Sequence, residues 1–597
     1  MPRSALTCAA SRPCCCSRRA SLSSRSSGLS PRLGWRTGST PTWPEPGKSE
    51  TPFPALRAAF AGRWGLARLS GRPSKPLSAV NHRLHTSRRE FLCSGGASLS
   101  GLAAAAAGSA QQTVEPQPRL NVLLVLVDDL RPELGCYGNP RVQTPQIDRL
   151  ASRGMVFLRS YCQQAASSPS RTTLLTGLRP DTTRVYGQRI HFRAYRPNAM
   201  TLPAQFREHG YETTAFGKVF ESPALDDRRS WSIAPWNPGG PAWHSDENDA
   251  QSEANWRRLQ RSGWRISEGE PGTVAEATTS SSWRESSADA SQLPDGQIAA
   301  EAAKAIAQLK DRPFFIAVGL RGPSLPMIAP EPFFKLYPTG RSDIPKDPDP
   351  PRDAPTFALH GSEEIRKYDD IPAEGPIPIP KARELIRAYR ACLTFTDSQI
   401  GVLLDALDRH GIADRTAVAI AGVSGSHLGE LGLWNKHSNY EAATHTALVV
   451  RAPRQRNAGR KTEALVESVD LFPSLCAICD VPLAPNMEGS SWRGIFDDPK
   501  RLWKRAVFSQ YPRIIPGVGP GMGYSMRTER YRYTEWSGID SPYSTVELYD
   551  YKNSRNELRN IANRPEHVSL LNGLAHMLRE GWEGSRPPTQ LPTRVRG

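Results

Sequence analysis

Cysteine is scarce where a disulfide framework would need it. The 597-residue chain holds ten, and five of them (Cys8, Cys14, Cys15, Cys16, Cys93) fall in the first 110 residues. Cys136, Cys162, Cys392, Cys476 and Cys479 are too few for a disulfide-stapled secreted scaffold. No window reaches about 18 consecutive apolar residues, which excludes a spanning helix. No internal repeat is present. Acid is missing at one end only. Residues 1–110 carry 14 Arg and two Lys against Glu45, Glu50 and Glu90, so +13 of the formal net charge of +17 sits there. The other 487 residues keep +4, and a basic surface for nucleic acid is excluded for the body of the chain. What is there is ample core material: 38% hydrophobic residues with 14 Trp, 16 Tyr and 17 Phe, incompatible with a wholly disordered chain.

Residues 1–86 are rich in Ser, Arg, Pro and Ala without apolar periodicity, and read as a disordered leader or as no part of the mature chain. Ser87-Arg88-Arg89-Glu90-Phe91-Leu92, a short apolar run through Ala107 and a small-residue end at Ala110 match a twin-arginine export signal over 87–110. The expectation is export to the periplasm or beyond, with the natural start downstream, for instance at Val80, because no Met occurs between Met1 and Met155. An organellar transit peptide is the alternative for the same composition.

The body alternates strands and helices. Asn121–Val127 is a continuous apolar run, as expected of a strand buried on both faces, and it ends on Asp128-Asp129. Thr144-Pro145 starts a helix to Gly154. Helices are predicted near 202–209, 297–309 and 381–409, and strands at 211–216, 313–319, 415–421 and 447–451. This order predicts an α/β fold with a mostly parallel sheet flanked by helices and a ligand site beyond the carboxyl ends of the strands. Residues 222–291 and 338–380 read as long surface excursions. After about Leu502, short alternating runs predict a smaller antiparallel sheet closed by a helix near 565–579. The domain reading is therefore 119–500, a C-terminal subdomain at 501–585, and a disordered tail at 586–597.

Two features carry chemistry. An Asp pair at a strand end is either a solvated surface pair or, if buried, a charge that needs a cation, and its oxygens suit Ca²⁺ or Mg²⁺. Ser167-Ser168-Pro169-Ser170-Arg171 places a small nucleophile four residues ahead of an arginine at a helix start, a setting that favours an anionic ester.

Asn121–Asp129, Arg131-Pro132, Gly135–Gly138, Thr144-Pro145 with Ile147-Asp148, and Ser167–Gly177 together resemble the sulfatase family, and within it the iduronate-2-sulfatases. Further matches are Gly217-Lys218-Val219-Phe220, Pro313–Phe315 with Ala317–Gly319, Trp434–Asn439, Ser509–Arg513 and Gly523–Thr528, in order from about 119 to 580. The resemblance implies an alkaline-phosphatase-like fold and hydrolysis of sulfate esters of a sulfated polysaccharide or glycosaminoglycan. It also implies a formylglycine nucleophile made by a maturase, here from Ser167, and a Ca²⁺ ion. Asp128, Asp129 and Ser167 match its metal ligands; Arg171 matches the residue that holds the formylglycine hydrate, and Lys218 and Lys436 match the lysines on sulfate and leaving group.

The sequence also departs from the family. Where Ser-Asp-His-Gly is expected it reads Gly422-Val423-Ser424-Gly425, so Val423 and Ser424 stand for a metal-ligating Asp and an active-site His. Ser324 stands for the leaving-group acid, and Glu221 for the His after Gly-Lys-Val-Phe. His427 is not expected to substitute. A missing general acid costs about 10²–10⁴-fold. Three functions follow: a Ser-type sulfatase, a catalytically impaired binder of sulfated glycan, or a phosphate or phosphonate esterase using Ser167 directly. Cys476-Ala477-Ile478-Cys479 reads as core packing, Asp397 as a helix-packing residue, and Tyr524–Arg527 as part of the small sheet.

Overall fold

The computed structural model describes residues 119–222, 225, 227–238, 281–338, 344–552, 554 and 556–588. The leader, the twin-arginine segment, residues 239–280 and 339–343 of the two excursions, and the tail from 589 lie outside the described residues. No described helix is long and apolar enough to cross a membrane.

The sheet is built on β1 (Asn121–Val127), every residue of which is buried. Its side chains alternate between two cores. Leu123, Val125 and Val127 pack with one cluster, and Val122, Leu124 and Leu126 with the other. That explains the unbroken apolar run, since a strand covered on both faces has no polar side. The other central strands are β2 (Met155–Tyr161), β3 (Glu212–Gly217), β4 (Phe314–Leu320), β5 (Thr416–Gly422), β6 (His445–Arg451) and β7 (Arg460–Glu467). Their spatial order is β7-β2-β6-β5-β1-β4-β3. Four neighbouring pairs are parallel, and β6 runs antiparallel to both of its neighbours. The sheet is therefore mixed and mostly parallel.

The first core is capped by α1 (Pro145–Ser152), α4 (Pro294–Leu309) and the 31-residue α5 (Ile379–Arg409). The second is capped by α2 (Ser167–Thr176), α3 (Leu202–Glu208) and α6 (Leu471–Ile478). Asp397 ties two of these helices together. From α5 it accepts hydrogen bonds from Gln146 N (3.1 Å) and Ile147 N (2.7 Å), capping the start of α1. Cys476 and Cys479 are free thiols in the second core, and burial pushes Cys476 up to about 12.

Two strands were not legible in the sequence. β2 and β7 form one margin of the sheet. The residues of β7 include Arg460, Lys461 and Glu463, so its apolar signal is diluted. The excursion at 222–291 is also not wholly irregular, because Trp283–Ser286 pairs in parallel with Met327–Pro330. The C-terminal part is a four-stranded antiparallel meander, β8 (Ala506–Ile515), β9 (Gly519–Thr528), β10 (Tyr531–Gly538) and β11 (Ser544–Asp550), packed on α7 (Val568–Gly584) through Met526, Leu548 and Leu574. It is joined to the central sheet by polar bonds. Glu441 receives Arg532 at 2.6 Å and Arg527 at 3.2 Å, and Gln510 N donates to Gln163 O at 2.7 Å.

Candidate active site

The carboxyl end of β1 is where the candidate residues converge. Asp128 follows the last residue of β1. Asp129 adopts a positive φ of 52°, and its carbonyl accepts a hydrogen bond from Tyr389 of α5 at 2.8 Å. This turn leaves both carboxyls buried at the sheet end. On one side β3 ends at Gly217, whose φ of 71° turns the chain across the sheet. A Cβ there would lie 2.4 Å from Gly319 O, so only glycine permits the crossing. Lys218 is thereby delivered beside Asp128. On the other side the loop after Trp434 presents Lys436 between Asn435 and His437, both with positive φ (67° and 76°). Non-glycine residues in that region store backbone strain, as is common at functional sites.

Ser167 is the first residue of α2 and is buried. Arg171, one turn on, donates from Nε to Ser167 Oγ at 3.2 Å and from a terminal nitrogen to Asp128 Oδ1 at 2.5 Å. It also donates to the carbonyls of Lys218 and Val219. Lys218 Nζ lies 3.2 Å from Asp128 Oδ2 and 3.1 Å from Glu221. Lys436 Nζ lies 3.0 and 3.2 Å from the two oxygens of Asp129 and 3.2 Å from Glu364. Ser424 Oγ donates to Asp129 Oδ1 at 3.1 Å. The four acids and three bases form two adjoining groups, Asp128 and Glu221 with Arg171 and Lys218, and Asp129 and Glu364 with Lys436.

The two aspartates are driven in opposite directions. Burial raises both, but Arg171, Lys218 and Lys436 outweigh it at Asp128 and hold that carboxyl well below the usual range. At Asp129 burial wins over Lys436, with Glu364 and Asp128 adding to it, and the carboxyl is pushed up to about 6.

Asp128, Asp129, Ser167, Arg171, Lys218 and Lys436 are thus brought together. Val423 lies alongside, its N–H bonded to Val127 O at 2.9 Å and its side chain in the second apolar core. Ser324 donates to Arg321 O at 2.7 Å. His427 is turned to Ser438 Oγ at 2.9 Å. Glu364 was missed, because it sits in the Pro- and Asp-rich excursion at 338–380, where nothing local marks one acid among several.

The donor set does not fit a Ca²⁺ ion, which takes six to eight oxygens. Both oxygens of Asp128 lie against Arg171 and Lys218, and both of Asp129 lie against Lys436. Val423 brings methyl groups where the resemblance expects a third carboxylate. Among the described residues no group of three or more His, Cys, Asp and Glu could hold a metal ion.

A mixed α/β sheet with this cluster at the end of β1 defines an alkaline-phosphatase-like protein of the sulfatase class. The sulfatase profile matches residues 120–481, and the C-terminal profile of N-sulphoglucosamine sulphohydrolase matches 429–583. The chain belongs to the sulfatase family. It is 32% identical to iduronate 2-sulfatase of Mus musculus over 78% of this chain and 95% of that one, and 33% identical to that of Homo sapiens over 73% and 88%. In fold it is similar to the phosphonate monoester hydrolase of Agrobacterium radiobacter, with a TM-score of 0.60 at 21% identity over 77% of this chain and 95% of that one. It is also similar to a structure in complex with its substrate D-glucosamine-2-N,6-O-disulfate, with a TM-score of 0.60 at 19% identity over 78% and 98%.

Proposed function

We propose that this chain is a sulfatase-family protein that binds a sulfated saccharide without hydrolysing it and without a divalent cation. One observation carries the reading: Arg171, Lys218 and Lys436 bond directly to Asp128 and Asp129, so the protein's own cations balance the carboxylates that the family resemblance assigns to Ca²⁺. Val423, Ser424 and Ser324 supply neither a carboxylate nor a titratable acid in the places where hydrolysis would need them. The relatives named iduronate 2-sulfatase support a sulfated saccharide as the ligand class, and export through the segment at 87–110 fits a ligand met outside the cytoplasm.

A second reading, hydrolysis by a formylglycine made from Ser167 together with Ca²⁺, draws on Ser167 standing at the head of α2 within 3.2 Å of Arg171 Nε. The third, direct attack by Ser167 on a phosphate or phosphonate ester, has only likeness of fold behind it and is the weakest. The test is mass spectrometry of the Ser167 peptide from a host that carries the maturase, combined with an assay of sulfate release. The proposal expects unmodified serine and no release. A peptide lighter by about 2 Da, with Ca²⁺-dependent release, establishes the second reading instead.

A further inference from the structure

Several buried cations among the described residues sit on carboxylates. Arg131 is 2.8 Å from Glu430, Arg179 2.7 Å from Glu467, Arg193 2.6 Å from Asp227 and Lys504 2.6 Å from Asp470. Arg513 of β8 breaks the pattern. It is 6% exposed, and among the described residues it has no carboxylate partner. Its terminal nitrogens donate only to the carbonyls of Pro512 and His437, and its Nε has no hydrogen-bond partner. A buried guanidinium without a counter-charge is costly to keep, and the missing charge is that of an anion.

Its surroundings are aromatic. The guanidinium carbon lies 4.4 Å above the Tyr511 ring. The His437 ring is 6.0 Å from Tyr511 and 6.4 Å from His360. His360 Nδ1 accepts from Ser362 N at 3.0 Å, which assigns the ring proton to Nε2, and that buried Nε2 has no partner either. Two unsatisfied buried donors therefore flank His437, whose own side chain is one-quarter exposed. The cluster adjoins the Ser167 site, because His437 N donates to Ala165 O at 3.0 Å and Lys436 is the preceding residue. Glu364, the nearby acid, is held by Lys436 at 3.2 Å.

We infer that Arg513, with the Nε2–H of His360 and the ring faces of Tyr511 and His437, forms a subsite for an anionic group, carboxylate or sulfate, on a sugar held beside the Ser167 site. The three cations around Asp128 and Asp129 are internally balanced, so Arg513 supplies the uncompensated charge that recognises an acidic saccharide. Charge-assisted pairing to a planar guanidinium favours a group that can accept two hydrogen bonds, which both candidates can do.

This inference rests on the proposed function, and titration calorimetry of the whole protein separates the two. The probes are a desulfated oligosaccharide that keeps its uronic carboxylates and a carboxyl-reduced oligosaccharide that keeps its sulfates. R513M is expected to weaken one probe by about tenfold or more and to flatten the salt dependence of that binding; the probe that loses affinity identifies the group. R513K keeps the charge but not the fork, and carries the test if R513M does not fold; it is expected to lose several-fold. Variants that bind both probes as tightly as the parent chain overturn the subsite and leave the proposed function standing. A parent chain that binds neither probe overturns the proposed function, and the subsite with it.

Discussion

Val423 decides the character of the Asp128–Asp129 centre, because a valine there leaves two aspartates and three bases to settle their charges among themselves. V423D would put a third carboxyl at the end of β5. Without a cation it adds a buried like charge, and with Ca²⁺ it completes a set of oxygens. We therefore expect V423D to melt below the parent chain in EDTA and to recover on adding Ca²⁺, while the parent chain shows no Ca²⁺-dependent shift; thermal denaturation reads both. His427 gives a pH prediction. Burial lowers it from 6.5 to about 4. The unfolded chain therefore takes up a proton between those values that the folded chain does not, and stability falls as pH falls from about 6.5 to about 4. H427Q removes that component, so its stability by urea denaturation should change less between pH 7 and pH 4.5 than that of the parent chain.

At the scale of elements, Asp397 shows how a helix in one place stabilises the start of another. D397A leaves the N–H groups of Gln146 and Ile147 without an acceptor, and about 1–2 kcal/mol of stability should be lost in equilibrium denaturation. The strand–helix alternation was legible because β1, β4 and β5 are covered on both faces and read as apolar runs. β2 and β7 were not, since the apolar run of β2 is only Met155–Leu158 before Arg159, and Arg460, Lys461 and Glu463 dilute that of β7. The candidate cluster was legible at Asp128, Asp129, Ser167 and Arg171, which are close in sequence to strong elements, and at Lys218 and Lys436 through the resemblance. It was not legible at Glu364, His360 or Arg513. Glu364 and His360 lie in an irregular excursion, and Arg513 lies in a strand of the other sheet, so only the tertiary fold brings them to Lys436 and His437. Nor does a sequence show that a cation lacks a counter-charge, because that is a property of the packed neighbourhood.

Across the whole molecule the C-terminal sheet does more than append to the larger one. Glu441, between Lys436 and β6, gathers Arg527 and Arg532 of the meander, and E441Q would leave Arg527 without its carboxylate and Arg532 with Glu557 alone. A loss of about 3 kcal/mol or more in unfolding free energy is expected, with the meander and the Lys436 loop loosening together. β8 from the same sheet brings Tyr511 and Arg513 beside His437, so the proposed subsite draws on both sheets. On the proposed reading the protein binds a sulfated saccharide and does not turn it over. The most direct measurement is calorimetric titration with a sulfated disaccharide, in EDTA and again in Ca²⁺, with free sulfate assayed at the end of each run. Equal affinity in the two buffers and no sulfate released is the predicted result. Sulfate release that appears only with Ca²⁺ would contradict it.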